Sequence, residues 1–337
     1  MRSVFIPLAL ALLFASPSFC PAASDAAAAA SSGAGAASGL GAVTASTLPN
    51  GMQVIVAPSQ AADLVTLDFW VGAGTRRETS QNNGVAHFME HLLFKGTPTR
   101  KPGDIDAAIE DLGGTMNAAT SYDWAHFFVT VGAEDTPKAL GVLSDAVMNA
   151  SLRQEDMDVE RPVILSERAR ELSSPAQRTL QAVSALSFPG HPYGRPLLGS
   201  VVNITSMTRQ TVLDFYKAYY VPGNTTLVIA GNITPEAGLA LAQADFGKWP
   251  AQPIPPDKVA PEKPQTQPRT VVLRGGTQDG YMTLGFHAPA VSDQPDAWVM
   301  DVLLTWLGQG GNNQLQRDLQ RKRKLVSSIS ANYLTQR

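Results

Sequence analysis

The sequence predicts an α+β fold, with helices packed on one mixed sheet, followed by a second and incomplete domain. Segments of strand-like alternation are interleaved with helical segments, but without the strict strand–helix–strand order of a doubly wound sheet. The 337 residues are 44% hydrophobic and 16% charged, enough for a large core. A proline-rich linker, 248–268, separates a first domain at 44–247 from the second at 269–337.

The N-terminus predicts export. Arg2 precedes an apolar run at 4–15, and small residues continue to Ala23, which is the pattern of a secretory signal peptide over residues 1–23. The run is short for a membrane span, so we expect no stable membrane insertion after cleavage and a periplasmic or secreted protein. The alternative is an uncleaved anchor. Cys20, the single cysteine, would be removed with the signal, and the Ala/Ser/Gly-rich stretch 24–43 predicts a flexible leader.

The charge distribution does not favour nucleic acid as a partner. The formal net charge is −3, and the sequence has no basic stripe interleaved with aromatic residues. The one dense basic stretch, 321–324, is typical of a solvated helix face.

The first domain opens with strand signals. Asn50-Gly51 predicts a hairpin turn, after which Met52, Val54 and Val56 alternate towards a core. A second strand is predicted at 64–74, where glycines close it.

Helical and strand patterns then alternate irregularly to the end of the chain. The helices are predicted at 84–95, 104–112, 135–149, 155–171, 175–187, 208–220, 235–246, 294–307 and 314–323. The remaining strands are predicted as a pair, or one bent strand, at 116–131, at 225–233, 270–274 and 281–286, and starting near Leu325.

The motif HFMEH, residues 87–91, lies in the first of these helices. His87 and His91 are four residues apart, hence about 40° apart around a helix axis, and Glu90 falls within the same arc of about 100°. Two neutral imidazoles are typical zinc ligands, and an adjacent carboxylate can take a proton from water that the metal activates. The pattern therefore predicts a Zn2+ site, the alternative being a histidine pair satisfied within the core.

Spacing alone leaves the third ligand open. Glu160 and Glu167 are seven residues apart, so one face of a helix would carry both. The carboxylates that remain candidates are Asp106, Glu110, Asp123, Glu155, Glu160, Glu167 and Glu171.

The sequence GVAHFMEHLLFKGT, 84–97, resembles the metal helix of the M16 (pitrilysin/insulinase) metallopeptidases, whose HxxEH motif inverts HExxH. Four further stretches are similar to family sequence: GGTMNAATSYD at 113–123, VERPVILSERAR at 159–170, HPYGRPLLGS at 191–200 and the tyrosine-rich stretch 215–224. The resemblance covers roughly residues 45–335 and implies an M16-type α/β sandwich followed by a truncated second copy of it.

The resemblance also implies roles for individual residues. His87, His91 and Glu167 would be the zinc ligands, Glu90 the general base, and Glu160 an auxiliary carboxylate near His91. The strand containing Asn117, Ala118, Ala119 and Thr120 would bind a peptide substrate as an added strand. The implied activity is that of a zinc metalloendopeptidase acting on unfolded peptides or small proteins.

Two departures from the family pattern have consequences. Pro162 interrupts the helical segment between Glu160 and Glu167. Gln320 and Ser327 stand where the family has an arginine and a tyrosine that bind substrate, so a second M16-type subunit is predicted to supply that pair. The alternative function is that of a non-catalytic assembly subunit.

The other histidines, His126, His191 and His287, are not expected to act in catalysis, because each lies in a predicted strand or loop away from the HFMEH helix.

Overall fold

The computed structural model describes residues 41–337. The predicted signal peptide, Cys20 and most of the leader lie outside these residues. The described chain forms two compact units, 41–286 and 287–337. No helix within 41–337 has the length and apolar character needed to cross a membrane.

The larger unit is built on a six-stranded sheet, counted over the described residues, with the order β1-β2-β6-β3-β5-β4. Strands β2 and β6 pair in parallel, and every other neighbouring pair is antiparallel, so the sheet is mixed as predicted. The strands are β1 Thr44–Thr47, β2 Gln53–Pro58, β3 Leu64–Val71, β4 Thr115–Thr120, β5 Ala125–Gly132 and β6 Thr225–Gly231.

The predicted hairpin at Asn50-Gly51 is confirmed. Gly51 has a φ of 92°, a left-handed conformation that glycine adopts without strain. Strand β1 pairs antiparallel with β2, and Met52, Val54 and Val56 are fully buried on one face.

Helices cover one face of the sheet, where most of them contribute apolar residues to the core formed with the inward side chains of the strands. They are α1 Val85–Leu93, α2 Asp104–Glu110, α3 Thr136–Met148, α4 Gln154–Ser173, α5 Pro175–Ser187, α6 Val201–Ser206, α7 Arg209–Tyr219 and α8 Pro235–Phe246. Helix α6 is missing from the prediction, since six residues, VVNITS, carry too little periodicity to reveal a helix.

Strand β4 forms one edge of the sheet. It pairs with β5 on one side only, from Thr115 opposite Thr130 to Thr120 opposite Ala125. The Ala118 N–H donates to the side chain of the preceding Asn117 at 2.8 Å, not to β5. Since a residue of an antiparallel strand turns its N–H and C=O to the same side, Ala118 presents its peptide groups to the free edge.

The segment after α8 departs from the prediction. The strands expected at 270–274, at 281–286 and near Leu325 are not formed; the first two segments are largely exposed, and neither pairs with a described strand. A strand without a hydrogen-bonded neighbour is not stable, which is the physical reason for the error. Side chains tie this segment to α5 instead: Arg269 donates to the Leu186 carbonyl, and the hydroxyls of Thr283 and Thr179 are 2.8 Å apart.

The smaller unit contains the predicted helix at 294–307, observed as α9, Asp296–Leu307. The helix predicted at 314–323 is a short segment of wider, π-type winding, Gln316–Lys322. The Gln320 side chain donates to the Ser327 carbonyl within this unit.

Candidate active site

Helix α1 is embedded in the core by its apolar residues. Phe88, Met89, Leu92 and Leu93 are fully buried, which leaves His87, Glu90 and His91 on the remaining face. The two imidazole rings lie 4.7 Å apart between centroids. The helical spacing therefore places the three polar side chains together, as the motif predicts.

Helix α4 brings two carboxylates to that face. It is continuous from Gln154 to Ser173, through Pro162. Pro162 is exposed, as is Asp158, whose carbonyl loses its helical partner. Since that carbonyl lies on the solvent side, the proline is tolerated, and Glu160 and Glu167 remain on one face, two turns apart.

Three ligand atoms converge between the two helices. The Glu167 Oε2 atom lies 3.4 Å from His91 Nε2 and 3.7 Å from His87 Nε2. One ligand atom from each of the three residues lies within 4.8 Å of the other two. The three form the candidate metal site found among the described residues.

The spacing of these atoms fits zinc. Ligands at zinc bond lengths of about 2.0–2.1 Å in a tetrahedron are about 3.3 Å apart, close to the two separations from Glu167. Two imidazole nitrogens and one carboxylate oxygen are also a donor set that catalytic zinc sites use, with a fourth position left open. The residues present therefore fit a zinc ion.

The surroundings of His87 keep its imidazole neutral, which is the form that can bind a metal. Burial, reinforced by the neighbouring His91, lowers the pKa of His87 to about 3. His87 is therefore neutral at physiological pH. Its Nδ1 atom is buried and makes no hydrogen bond among the described residues, whereas Nε2 faces the ligand cluster.

The second histidine is oriented by Glu160. His91 Nδ1 lies 2.9 Å from Glu160 Oε2, and the Lys95 ammonium lies 2.7 Å from the other oxygen of that carboxylate. Burial raises the pKa of Glu160, but the hydrogen bonds from Lys95 and His91 outweigh this effect, so the net shift is downward. An ionised Glu160 accepts a hydrogen bond from the Nδ1–H group of His91 and leaves the Nε2 lone pair of His91 directed at Glu167.

Glu90 lies beside the ligands without being one of them. Burial raises the pKa of its carboxyl group, and the charge of Glu167 adds to that rise. The Thr120 hydroxyl and the rings of His91 and His126 oppose it, although the Thr120 hydroxyl falls short of hydrogen-bond geometry. A carboxylate with a raised pKa is suited to accept and return a proton near neutral pH.

A cleft of about 260 Å³ joins this cluster to the edge strand. Glu90 and His91 of α1 line it, as do Asn117 and Ala118 of β4. The remaining walls are formed by Phe94, Lys95, Asp106, Met116 and Glu160. The predicted substrate strand therefore borders the candidate active site.

The other open candidates for the third ligand lie elsewhere. Asp123 accepts hydrogen bonds from the Tyr193 hydroxyl, and Glu171 pairs with Arg168. Asp106 lines the cleft but does not belong to the ligand cluster, and neither do Glu110 and Glu155.

The three remaining histidines contribute no ligand atom to the cluster. His126 lies 3.0 Å from Asp68 and stacks at 4.4 Å on Trp70. His191 is buried and accepts a hydrogen bond from the Tyr193 N–H.

Lys95 is the site residue that sequence reasoning missed. It lies four residues after His91, a spacing that would place it on the same side of the helix predicted at 84–95, although α1 itself ends at Leu93. Lysine is common on helix surfaces, however, so only the position of Glu160 reveals what Lys95 contacts.

The comparisons with known proteins agree with this geometry. Residues 53–201 match the family model of insulinase (peptidase family M16), and residues 206–337 match that of the peptidase M16 inactive domain. The chain belongs to peptidase family M16.

Two relatives of this chain have peptidase names. An uncharacterized zinc protease of Mycobacterium tuberculosis is 32% identical over 288 residues, 84% of this chain and 65% of that protein. A probable mitochondrial-processing peptidase subunit beta of Arabidopsis thaliana is 28% identical, over 85% of this chain and 56% of that protein. The chain thus spans about 65% or less of the length of these M16 relatives.

A solved M16-like structure confirms the fold class. The crystal structure of a protease from Helicobacter pylori is 26% identical and matches with a TM-score of 0.75, over 88% of this chain and 72% of that one. The α+β, two-domain M16 fold predicted from the sequence is therefore correct.

Proposed function

We propose that this chain is a zinc-dependent metalloendopeptidase that hydrolyses peptide bonds in unfolded peptides or small proteins. The observation that carries the proposal is the convergence of His87, His91 and Glu167 beside Glu90, next to the free edge of β4. A zinc ion held by the three ligands supplies Lewis-acid polarisation and lowers the pKa of water.

Glu90 carries the proton in the proposed reaction. Its carboxylate accepts a proton from the attacking water and returns it to the nitrogen of the departing amine. The raised pKa of Glu90 favours both transfers, because the carboxyl group is neither too weak a base nor too weak an acid near neutral pH.

Strand β4 binds the substrate in this proposal. An extended peptide pairs with the outward N–H and C=O of Ala118, so that main-chain hydrogen bonds provide affinity with little dependence on sequence. Alternate side chains of that peptide then point towards the cleft lined by Phe94 and Met116.

We further propose that the protein acts after export, in the periplasm or outside the cell, and with a second M16-type subunit. The first rests on the signal-peptide pattern of residues 1–23. The second rests on Gln320 and Ser327, which stand where the family pair of arginine and tyrosine is expected, and is supported by the relative named as a subunit of a processing peptidase.

The direct test of the activity is Glu90→Gln in the full chain with its partner. Because Glu90 is not a ligand, we expect zinc content to be unchanged while hydrolysis of an unfolded peptide falls by about 10²- to 10⁴-fold. Cleavage that survives this change would contradict the role of Glu90. Zinc bound at full content with no hydrolysis in the parent would favour the alternative, a non-catalytic assembly subunit.

A further inference from the structure

A buried carboxylate outside the ligand cluster holds the start of helix α1. Glu78 lies in the loop before the helix and is 4% exposed. Its Oε1 atom accepts a hydrogen bond from the Ala86 N–H at 2.8 Å. Its Oε2 atom accepts from the Gly84 N–H at 2.9 Å and from the Asn83 side-chain amide at 2.8 Å. One carboxylate thus satisfies three donors at the end of the helix that carries HFMEH.

Helix α1 lacks the usual means of capping this end. The residue before its first turn is Gly84, with a φ of 103° and no side chain to accept a hydrogen bond. The first N–H groups of a helix have no partner within the helix, and the dipole favours a negative charge there. Glu78 meets both requirements from a position six residues earlier in the chain.

The stretch 191–200 holds Glu78 and its loop from the other side. Arg195 donates to the Glu78 carbonyl at 2.6 Å, and the Asn83 amide also donates to the Pro196 carbonyl at 3.0 Å. The two loops touch closely: a Cβ on Gly84 would lie 2.9 Å from the Leu198 carbonyl oxygen. The helix start is therefore enclosed and cannot slide without breaking these contacts.

We propose that Glu78, supported by Asn83 and Arg195, is a positioning residue that sets the axial position of helix α1 and thereby aligns His87 and His91 with Glu167. The inference rests on the proposed zinc function and adds to it a residue to which the sequence analysis assigns no role. Ala86, one of the groups that Glu78 binds, immediately precedes His87.

The proposed zinc site tolerates only a small shift of helix α1 along its axis. Zinc–ligand distances tolerate only about 0.2 Å, whereas one residue of helix advances about 1.5 Å. The two histidines lie on α1 and the third ligand on α4, so any shift of α1 along its axis changes both distances to Glu167 together. It also changes the contact between His91 and Glu160, which orients the second imidazole.

The test is the zinc affinity of Glu78→Gln in the full chain, measured by competition with a chromophoric chelator at pH 8. Glutamine keeps the shape but offers one acceptor oxygen where the carboxylate offers two, so a backbone N–H of the first turn loses its partner. We expect the affinity to fall about tenfold, the effect of losing one hydrogen bond to a charged group. The visible spectrum of the cobalt-substituted protein should change as well.

The matched control is Phe246→Leu in α8, which removes the ring stacked on Phe69 and changes none of the residues that hold the start of α1. We expect it to lower stability in urea while its zinc affinity and cobalt spectrum equal those of the parent. A similar loss of affinity in the control would reduce Glu78 to a purely structural role and overturn the inference.

A second variant keeps the test decisive if Glu78→Gln does not fold. Arg195→Gln removes the bond to the Glu78 carbonyl and leaves the carboxylate in place, so we expect a smaller loss of affinity in the same direction. Parent affinity in the folded Glu78→Gln protein, or in Arg195→Gln when only that variant folds, would overturn this inference alone. A parent protein that binds no zinc would overturn the proposed function as well.

Discussion

At the scale of single residues, the surroundings of His87, Glu160 and Glu90 shift the pKa values of these three neighbours differently. Burial keeps His87 neutral, with a pKa of about 3. Lys95 and His91 keep Glu160 ionised against the effect of its burial. Burial raises the pKa of Glu90. A neutral candidate ligand, a charged group that orients its neighbour and a proposed proton acceptor therefore lie on one helix and its neighbour, and the surroundings of each set its protonation.

The buried Glu78 predicts a dependence of stability on pH. Burial raises its pKa from 4.5 to about 7, although hydrogen bonds to Ala86, Gly84 and Asn83 oppose the rise. The folded state therefore retains a proton that the unfolded state releases between these values. As pH rises from 4.5 to 7, Glu78 lowers the free energy of unfolding by at most about 3 kcal/mol.

Urea unfolding of the metal-free parent and of Glu78→Gln, at several pH values from 4.5 to 8, measures this contribution. We expect the stability of the variant relative to the parent to rise across the window. His87 acts with the opposite sign, destabilising the fold as pH falls below 6.5, but both proteins share it and it cancels in the difference. A difference that does not vary with pH would contradict the buried, ionisable Glu78.

At the scale of elements, the site is the meeting of two helices and one edge strand. Helix α1 contributes Glu90 and two candidate ligands, α4 contributes Glu167 and Glu160, and β4 lines the adjoining cleft. An edge strand has unpaired main-chain groups, which proteins usually protect from pairing. Here the Ala118 N–H donates a hydrogen bond to the Asn117 side chain. A substrate strand would have to displace that bond.

We expect proline substitutions at Ala118 and Ala119 of the edge strand to have different effects, because the two N–H groups face opposite sides. Ala118→Pro removes an outward N–H and leaves the pairing of β4 with β5 intact. We expect unchanged zinc content and an efficiency, kcat/KM, about tenfold lower through KM, from a lost main-chain hydrogen bond. Ala119→Pro, whose N–H faces β5, is the matched control and should destabilise the fold. Unchanged KM in a folded Ala118→Pro protein would contradict strand addition at β4.

The elements also show what can be predicted from sequence and what cannot. HFMEH and the spacing of Glu160 and Glu167 are local patterns, and helical periodicity alone places each set on one face. The choice of Glu167 over Asp123 or Glu171 depends on how two helices pack, and only resemblance to a family suggests it beforehand.

The errors have the same physical origin. The short apolar run at 270–274 resembles that of a true strand, but a strand also requires a neighbour, which no local pattern supplies. Glu78 lies in a loop nine residues before His87, where no periodicity links it to the helix start. Contacts between segments distant in sequence account for both.

At the scale of the whole molecule, the chain consists of two units and spans about 65% of the relatives it matches at 32% identity. The candidate metal site lies entirely within 41–286. By our proposal, metal binding and full activity are therefore separable properties: the first requires the larger unit, and the second also requires a subunit that supplies an arginine and a tyrosine.

Co-expression tests this separation. We expect the chain produced alone to bind zinc and to hydrolyse an unfolded peptide slowly, and the mixture with a second M16-type subunit to be much faster. Replacing the arginine of that subunit should abolish the gain while zinc content stays constant. Equal rates with and without the second subunit would contradict the two-chain proposal and leave the metal site unaffected.

The central claim, that His87, His91 and Glu167 hold one zinc ion, is tested most directly by the metal content of the purified chain. We predict one zinc per chain in the parent and its loss in both His91→Ala and Glu167→Gln, with Glu90→Gln retaining it. Full zinc content in Glu167→Gln would move the third ligand to another carboxylate. A parent chain without zinc would contradict the account and return the two histidines to a structural role in the core.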